Sequence, residues 1–172
     1  MRLFIAINPS SQMIVYLKTL QDAIRAIAIS TSYVKEFHLT LKFLGKVSGA
    51  DKVMQVLDRV RFKPFEFSLA GIGFFPNKVK PRVLWVGIEP KRDVLELHSQ
   101  IDKCLVEAGF PKDPRFHPHI TLGRIKHAEK HALALADTVV KPISTKVESF
   151  NLIKSELRAD GPAYTVLKEY KL

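Results

Sequence analysis

An α+β unit made of two related halves is what this sequence describes, on three grounds. The phrase His38-Leu39-Thr40-Leu41 returns 81 residues later as His119-Ile120-Thr121-Leu122. The same spacing carries the apolar run Leu3–Pro9 onto Leu84–Pro90. Alternating apolar runs and stretches of helical spacing share the chain, with no linker, low-complexity tract or charge block between halves. An apolar run alone recurs by chance in many proteins. A run and a His-x-Thr-Leu phrase keeping one register point to a duplicated half, each copy offering one histidine and one threonine.

Residues 2–8 read as a first strand. Pro9 and Ser10 open a helix, with Ser10 a suitable N-cap and Ile14, Leu17, Ile24 and Ile27 its apolar stripe. Residues 38–44 alternate as a strand, which predicts Leu39, Leu41 and Phe43 on one face and His38, Thr40 and Lys42 on the other, with Gly45 ending it. Ser48-Gly49-Ala50-Asp51 resembles a capping box, followed at helical spacing by Val53, Val56, Leu57 and Val60. Phe65, Phe67 and Leu69 then alternate into Gly71-Ile72-Gly73, which reads as a loop. Those two glycines lack the third glycine and following helix of a dinucleotide fingerprint.

The second half repeats the plan. Residues 83–88 form a strand, and 91–108 a helix with Val94, Leu97, Ile101 and Leu105 on one side and Gly109 as its stop. Pro111 and Pro114 mark a loop before the second His-x-Thr strand. A short helix is expected over 128–139. Two closing strands, 143–157 and 163–170, are joined by a turn at Asp160-Gly161-Pro162.

With 172 residues, 47% of them apolar, the chain has the means for one compact core and no run long enough to cross a bilayer. The opening is too short for a secretory signal and reads as a strand. The single Cys104 excludes an intramolecular disulfide, fits a reducing, cytoplasmic setting, and reads as a core residue on a helix. A net charge of +10 and a pI near 9.8 favour a polyanionic partner; the plainer alternative is a solvated, lysine-rich surface.

Residues two apart on a strand share a face, so each His-x-Thr sets an imidazole beside a hydroxyl. Two such strands facing across a cleft suit in-line displacement at phosphorus. One imidazole takes a proton from the attacking oxygen and the other gives one to the leaving oxygen, while the hydroxyls donate to the non-bridging oxygens. An ordinary imidazole pKa of about 6.5 makes both protonation states accessible near neutrality. None of this requires a metal or a cofactor. A single His-x-Thr would more readily be a buried structural pair; two in register reverse that preference. Lys42 shares the predicted face of His38 and Thr40, so it is a candidate phosphate contact, against an exposed strand lysine. Arg124 follows Gly123 and is a second candidate whose direction parity does not assign. The rival is a metal site on His117 and His119 with His38 as third ligand, yet no carboxylate flanks either phrase. His127 and His131 are spaced as on a helix, but Glu129 is misplaced for the zinc-protease signature. His98 has no visible partner.

At these residues the chain resembles the two-histidine phosphoesterases, specifically the RNA 2′,3′-cyclic phosphodiesterases, also called LigT-like 2′-5′ RNA ligases. The likeness takes in Arg2–Ile7, Phe37–Gly45, Gly73–Pro76, Pro81–Gly87 and Phe116–Arg124. It implies two pseudo-symmetric lobes within one domain, each an antiparallel sheet with outer helices, and an active cleft between them. It also implies metal-independent opening of an RNA 2′,3′-cyclic phosphate to a 2′-phosphate, and ATP-independent joining of such an end to a 5′-hydroxyl in reverse. By that likeness His38 is the proton donor to the leaving 3′ oxygen and His119 the base for water, with Thr40 and Thr121 holding the phosphoryl oxygens. The partner expected from that likeness is RNA with a cyclic phosphate end, tRNA fragments among the candidates; the chain is expected to act as a monomer away from membranes. The alternatives are a phosphodiesterase of small cyclic nucleotides and an RNA-binding module without catalysis.

Overall fold

A computed structural model describes every residue except 28, 29, 127–129 and 160, and the backbone alone of 130–133. The elements follow the chain as β1 (Arg2–Ile7), α1 (Ser11–Arg25), β2 (Thr31–Tyr33), β3 (Leu39–Lys46), α2 (Asp51–Leu57), β4 (Phe65–Phe75), β5 (Val83–Glu89) and α3 (Arg92–Glu107). Then come β6 (His119–Ile125), the 3-10 helix η1 (Lys130–Asp137), β7 (Ser144–Val147), β8 (Ser149–Arg158) and β9 (Gly161–Lys171).

The helices form where the residues call for them. Ser10 is extended and its Oγ accepts a hydrogen bond from the Met13 amide at 3.3 Å, so α1 is capped as expected. Its buried stripe is Met13, Leu17, Leu20, Gln21 and Ile24; Ile27 lies past the helix end and is exposed. α3 buries Val94, Leu97, Ile101 and Leu105 together with His98 and Asp102, and Gly109 follows it with φ +93°. The capping box at Ser48 does not form: the N-cap of α2 is Ala50, with no side-chain bond to the first turn. The turn expected at 160–162 and the histidine pair 127/131 fall on residues 127 and 160, outside the described set, and on 131, described by backbone alone.

Among the described residues nine strands make one antiparallel sheet, ordered β7-β4-β5-β6-β3-β1-β8-β9, with β2 added beside β6. The sequence repeat is visible in it, but interleaved. β1 and β3 of the first half lie next to β8 from the end of the chain, while β5 and β6 of the second half lie next to β4 from the first. β4 of the first half thus lies in the other's lobe, and β8 of the second half does likewise. The two lobes meet in the sheet at one residue pair, Leu39 opposite Ile120.

A single closing strand is expected over 143–157; Glu148 breaks it in two. β7 pairs with β4 and β8 with β1, six places apart in the sheet. In a flat sheet six spacings would separate them by roughly 29 Å, which one connecting residue of ~3.8 Å per step cannot span. The sheet therefore curls until its ends meet. One face packs on the helices, where Leu39, Leu41, Leu84, Val86, Ile120 and Leu122 are buried in the main core. A separate small cluster, Phe4, Ala6 and Ile153 with Tyr164, lies away from that core.

Candidate active site

Both His-x-Thr strands carry the same irregularity. In β3, Thr40 pairs with Ala6 and Lys42 with Ile5, so Leu41 is left without a partner. In β6, Thr121 pairs with Trp85 and Gly123 with Leu84, so Leu122 is left over. Leu41 and Leu122 are 81 residues apart, and each is a bulge one residue beyond the threonine. A bulge inserts one residue and resets which face every later side chain takes.

That reset corrects the reading of Lys42. Leu41 and Lys42 are both buried on the helix side, and Phe43, expected in the core, is 72% exposed and rests against Phe4 with 5.9 Å between ring centroids. Lys42 is turned away from His38 and Thr40 and is not a phosphate contact. Its Nζ lies 2.5 Å from Asp102 Oδ1, 3.3 Å from Asp113 Oδ1 and 2.8 Å from the Pro111 carbonyl. The same reset after Leu122 buries Gly123 and exposes Arg124. Arg124 occupies the position of Phe43, and its charge counters the rise in the Tyr164 phenol pKa that burial and Glu36 cause. A charge felt there reaches β9 of the opposite lobe.

The four motif residues come together around the Leu39–Ile120 pair. The side chains of that pair are fully buried, so the residues flanking them, His38 with Thr40 and His119 with Thr121, project from the other face and are half-buried. Phe4 and Tyr164 meet the His38 ring edge-on at 5.6 and 5.1 Å. That apolar enclosure lowers its pKa to about 4 by desolvation. His119 is lowered as well, chiefly by burial, with a further push from the His117 charge and an opposing pull from the His117 carbonyl. Its Nδ1 is 2.7 Å from that carbonyl, which can only accept, so Nδ1 carries the proton and the neutral ring keeps its lone pair on Nε2.

An aromatic wall stands beside His119. Phe75 meets it edge-on at 4.8 Å, and Trp85 lies 4.8 Å from the His117 ring. Gly73, read from sequence as a loop glycine, is inside β4 and makes this wall possible: a Cβ there would come within 2.1 Å of the Trp85 ring. A hollow of about 260 Å³ opens beside Trp85, Gly87 and His117. Another, of about 310 Å³, lies at Asn8, Lys146 and Glu169 near the β7–β8 break, and its charged groups are already paired with one another.

Sequence reasoning missed Asp102, Asp113 and Gln21. Gln21 and Asp102 stand 81 residues apart on α1 and α3, and each faces the bulge of a motif strand. Gln21 Nε2 donates to the Leu122 carbonyl at 2.8 Å, while Asp102 binds Lys42. His98 gains a partner in Asp113 at 3.2 Å. His98, Asp102 and Asp113 could otherwise crowd a cation, with donor atoms within 4.8 Å of one another, but the Lys42 ammonium already holds that place.

Comparison with known proteins gives the family and the fold. The family model described as the 2′-5′ RNA ligase superfamily matches residues 17–159. The chain belongs to the 2′-5′ RNA ligase superfamily. Among curated members of the superfamily, the Thermotoga maritima protein named RNA 2′,3′-cyclic phosphodiesterase is 33% identical, covering 98% of this chain and 94% of its own. The Aeropyrum pernix protein of the same name is 35% identical, covering 92% of this chain and 96% of its own. A crystal structure of a Thermus thermophilus protein superposes with a TM-score of 0.87 at 31% identity, over 100% of this chain and 98% of the other. E. coli LigT complexed with 3′-AMP does so at 0.81 and 28%, over 99% and 97%. The α+β fold of this superfamily member is thus the one expected.

Proposed function

We propose that this chain opens 2′,3′-cyclic phosphate ends of RNA to 2′-phosphomonoesters, with His38 and His119 as acid and base and no metal. The observation that carries the reading is the placement of both His-x-Thr pairs around one bridging residue pair, on the face opposite the core. Curated relatives named RNA 2′,3′-cyclic phosphodiesterase cover nearly the whole chain and support the substrate class.

The neutral His119 ring offers Nε2 as general base. It takes a proton from water as the water oxygen attacks phosphorus in line, and the phosphorus–O3′ bond breaks. His38, protonated, delivers its proton to the departing O3′; the bond to O2′ remains. Thr40 and Thr121 donate hydrogen bonds to the non-bridging oxygens, where charge builds, and Arg124 pairs with the same group as a fork. In the free protein burial keeps His38 neutral at physiological pH. The arriving phosphodiester anion is the counter-charge that favours the imidazolium, so substrate brings the acid into its working state. With a 5′-hydroxyl in place of water the same steps join two RNA ends through a 2′-5′ linkage, with no ATP consumed.

Both motifs lie in one chain, so a monomer suffices. The single Cys104 suits a reducing cytoplasm, and no described helix is long and apolar enough to cross a membrane. A net charge of +10 suits a polyanionic substrate such as RNA, and ends of cleaved tRNA belong to that class.

The test is incubation of an RNA oligomer ending in a 2′,3′-cyclic phosphate with wild type, His38→Ala and His119→Ala, with and without EDTA. A 2′-phosphate product from wild type, unaffected by EDTA and lost in both variants, is the expected result. Loss in EDTA restored by zinc would replace this reading with a metallohydrolase. Equal turnover of a mononucleotide cyclic phosphate would move the substrate to small nucleotides.

A further inference from the structure

We propose that Lys42 is a positioning residue whose ammonium, held by Asp102 and Asp113, clasps the strand bearing His38 to the loop that delivers His119. The inference rests on the catalytic reading above and adds the device that sets the two rings against each other.

The contacts form an unbroken path. Lys42 lies four residues beyond His38 on β3, and its three N–H groups meet three acceptors: Asp102 Oδ1, the Pro111 carbonyl and Asp113 Oδ1. The Asp113 amide donates to Asp102 Oδ1 at 3.1 Å, so one carboxylate oxygen binds both strand and loop. Asp113 Oδ2 meets His98 Nε2, and the His98 ring stacks on Phe116 at 3.9 Å with 7° between planes. Phe116 stands three residues before His119. The sheet itself joins β3 to β6 at a single residue pair, which leaves a pivot. β2 and Gln21 of α1 also hold β6, and the Lys42 cluster adds an attachment made by β3 itself, to α3 and the loop before β6.

The other half of the molecule shows that the fold does not demand the cluster. Its bulge has Gly123 where Lys42 stands and the uncharged Gln21 where Asp102 stands, and it is equally well formed. A buried ammonium with two carboxylates is a costly way to fill space, since a matched apolar pair is often no less stable. Its presence on one side only fits a role in geometry.

That difference gives the experiment. Wild type, Asp113→Ala and the double variant Lys42→Met/Asp102→Leu are compared for Tm, kcat, KM and the ring signals of His38 and His119 in 1H–15N spectra. The double variant removes both charges together. Expected are a Tm near wild type, KM within about threefold, and kcat about 10- to 100-fold lower, the scale of a misplacement near 1 Å. Asp113→Ala leaves Lys42 paired with Asp102 and covers the case in which the double variant fails to fold. It should lower kcat about 3- to 10-fold and shift both ring signals. A double variant with both Tm and kcat near wild type, or Asp113→Ala with unchanged kcat and unmoved rings, overturns the clasp. Absence of turnover in wild type would instead count against the catalytic reading, and the ring signals would still decide the clasp.

Discussion

Phe43 and Arg124 occupy one position in the two halves, 81 residues apart and each just beyond a bulge, and their chemistry is opposite. Around His38 the surface is aromatic: Phe4, Phe43 and Tyr164. Around His119 it is polar as well, with the His117 carbonyl on Nδ1 and Arg124 two residues past the bulge. Two strands with matching bulges set two imidazoles on one face. Only the side chains beside them differ, and they differ in the way the acid and base of the proposed reaction would require. Under the proposed mechanism, desolvation would make the His38 proton easy to give away once an anion has brought it there, while the His117 carbonyl holds the His119 Nδ1 proton and leaves the lone pair on Nε2.

Arg124→Ala and Phe43→Ala sharpen that contrast most. Loss of a charge-assisted contact of about 1.5–3 kcal/mol predicts a fall in kcat/KM of about 10- to 100-fold for Arg124→Ala. Phe43→Ala removes only exposed aromatic contact and should cost about threefold or less. A larger loss for Phe43→Ala in steady-state kinetics would mean that the two positions do not divide as described. Gly73→Ala is next: the new methyl collides with Trp85, and a repacking cost of about 1–3 kcal/mol should appear as a lower Tm together with altered His117 and His119 ring signals. An unchanged Tm would place the indole elsewhere.

The smallest effect is on stability against pH. His38 has a folded pKa of about 4, below the unfolded 6.5, so between these values the unfolded chain binds the extra proton. Stability is complete above about pH 6.5 and is lost as pH falls towards 4, by on the order of 1–3 kcal/mol. Urea titrations should show a steeper loss in wild type than in His38→Gln, where the buried His119 leaves a smaller slope of the same sign. The opposite slope, with stability rising as pH falls through that window, would mean that the ring is charged in the fold.

Much of this was legible from residues. The 81-residue spacing located both motifs, the Ser10 cap and the α3 stripe set the helices, and the apolar runs set β1 and β5. What escaped notice has physical causes. A bulge leaves no mark in one chain, because Leu41 suits a regular strand as well as an irregular one; counting by twos therefore placed Lys42 and Phe43 on each other's faces. The break at Glu148 is dictated by closure of the whole sheet, a non-local demand. Gly73 answers to an indole on the neighbouring strand, and a local reading sees only a turn-former. Asp102 and Gln21 do share the repeat spacing, but polar residues on a helix attract no notice until the bulges they face are known.

A cyclic substrate with sulfur in place of the bridging 3′ oxygen separates the two histidines directly, since a thiolate leaves without needing a proton. With wild type, His38→Ala and His119→Ala assayed on both substrates, each variant should lose about 10²- to 10⁴-fold on the oxygen substrate. On the sulfur substrate His38→Ala should regain most of its loss and His119→Ala none. Equal recovery by both, or an undiminished rate in either variant on the natural ester, would contradict two imidazoles acting from opposite sides of one phosphorus.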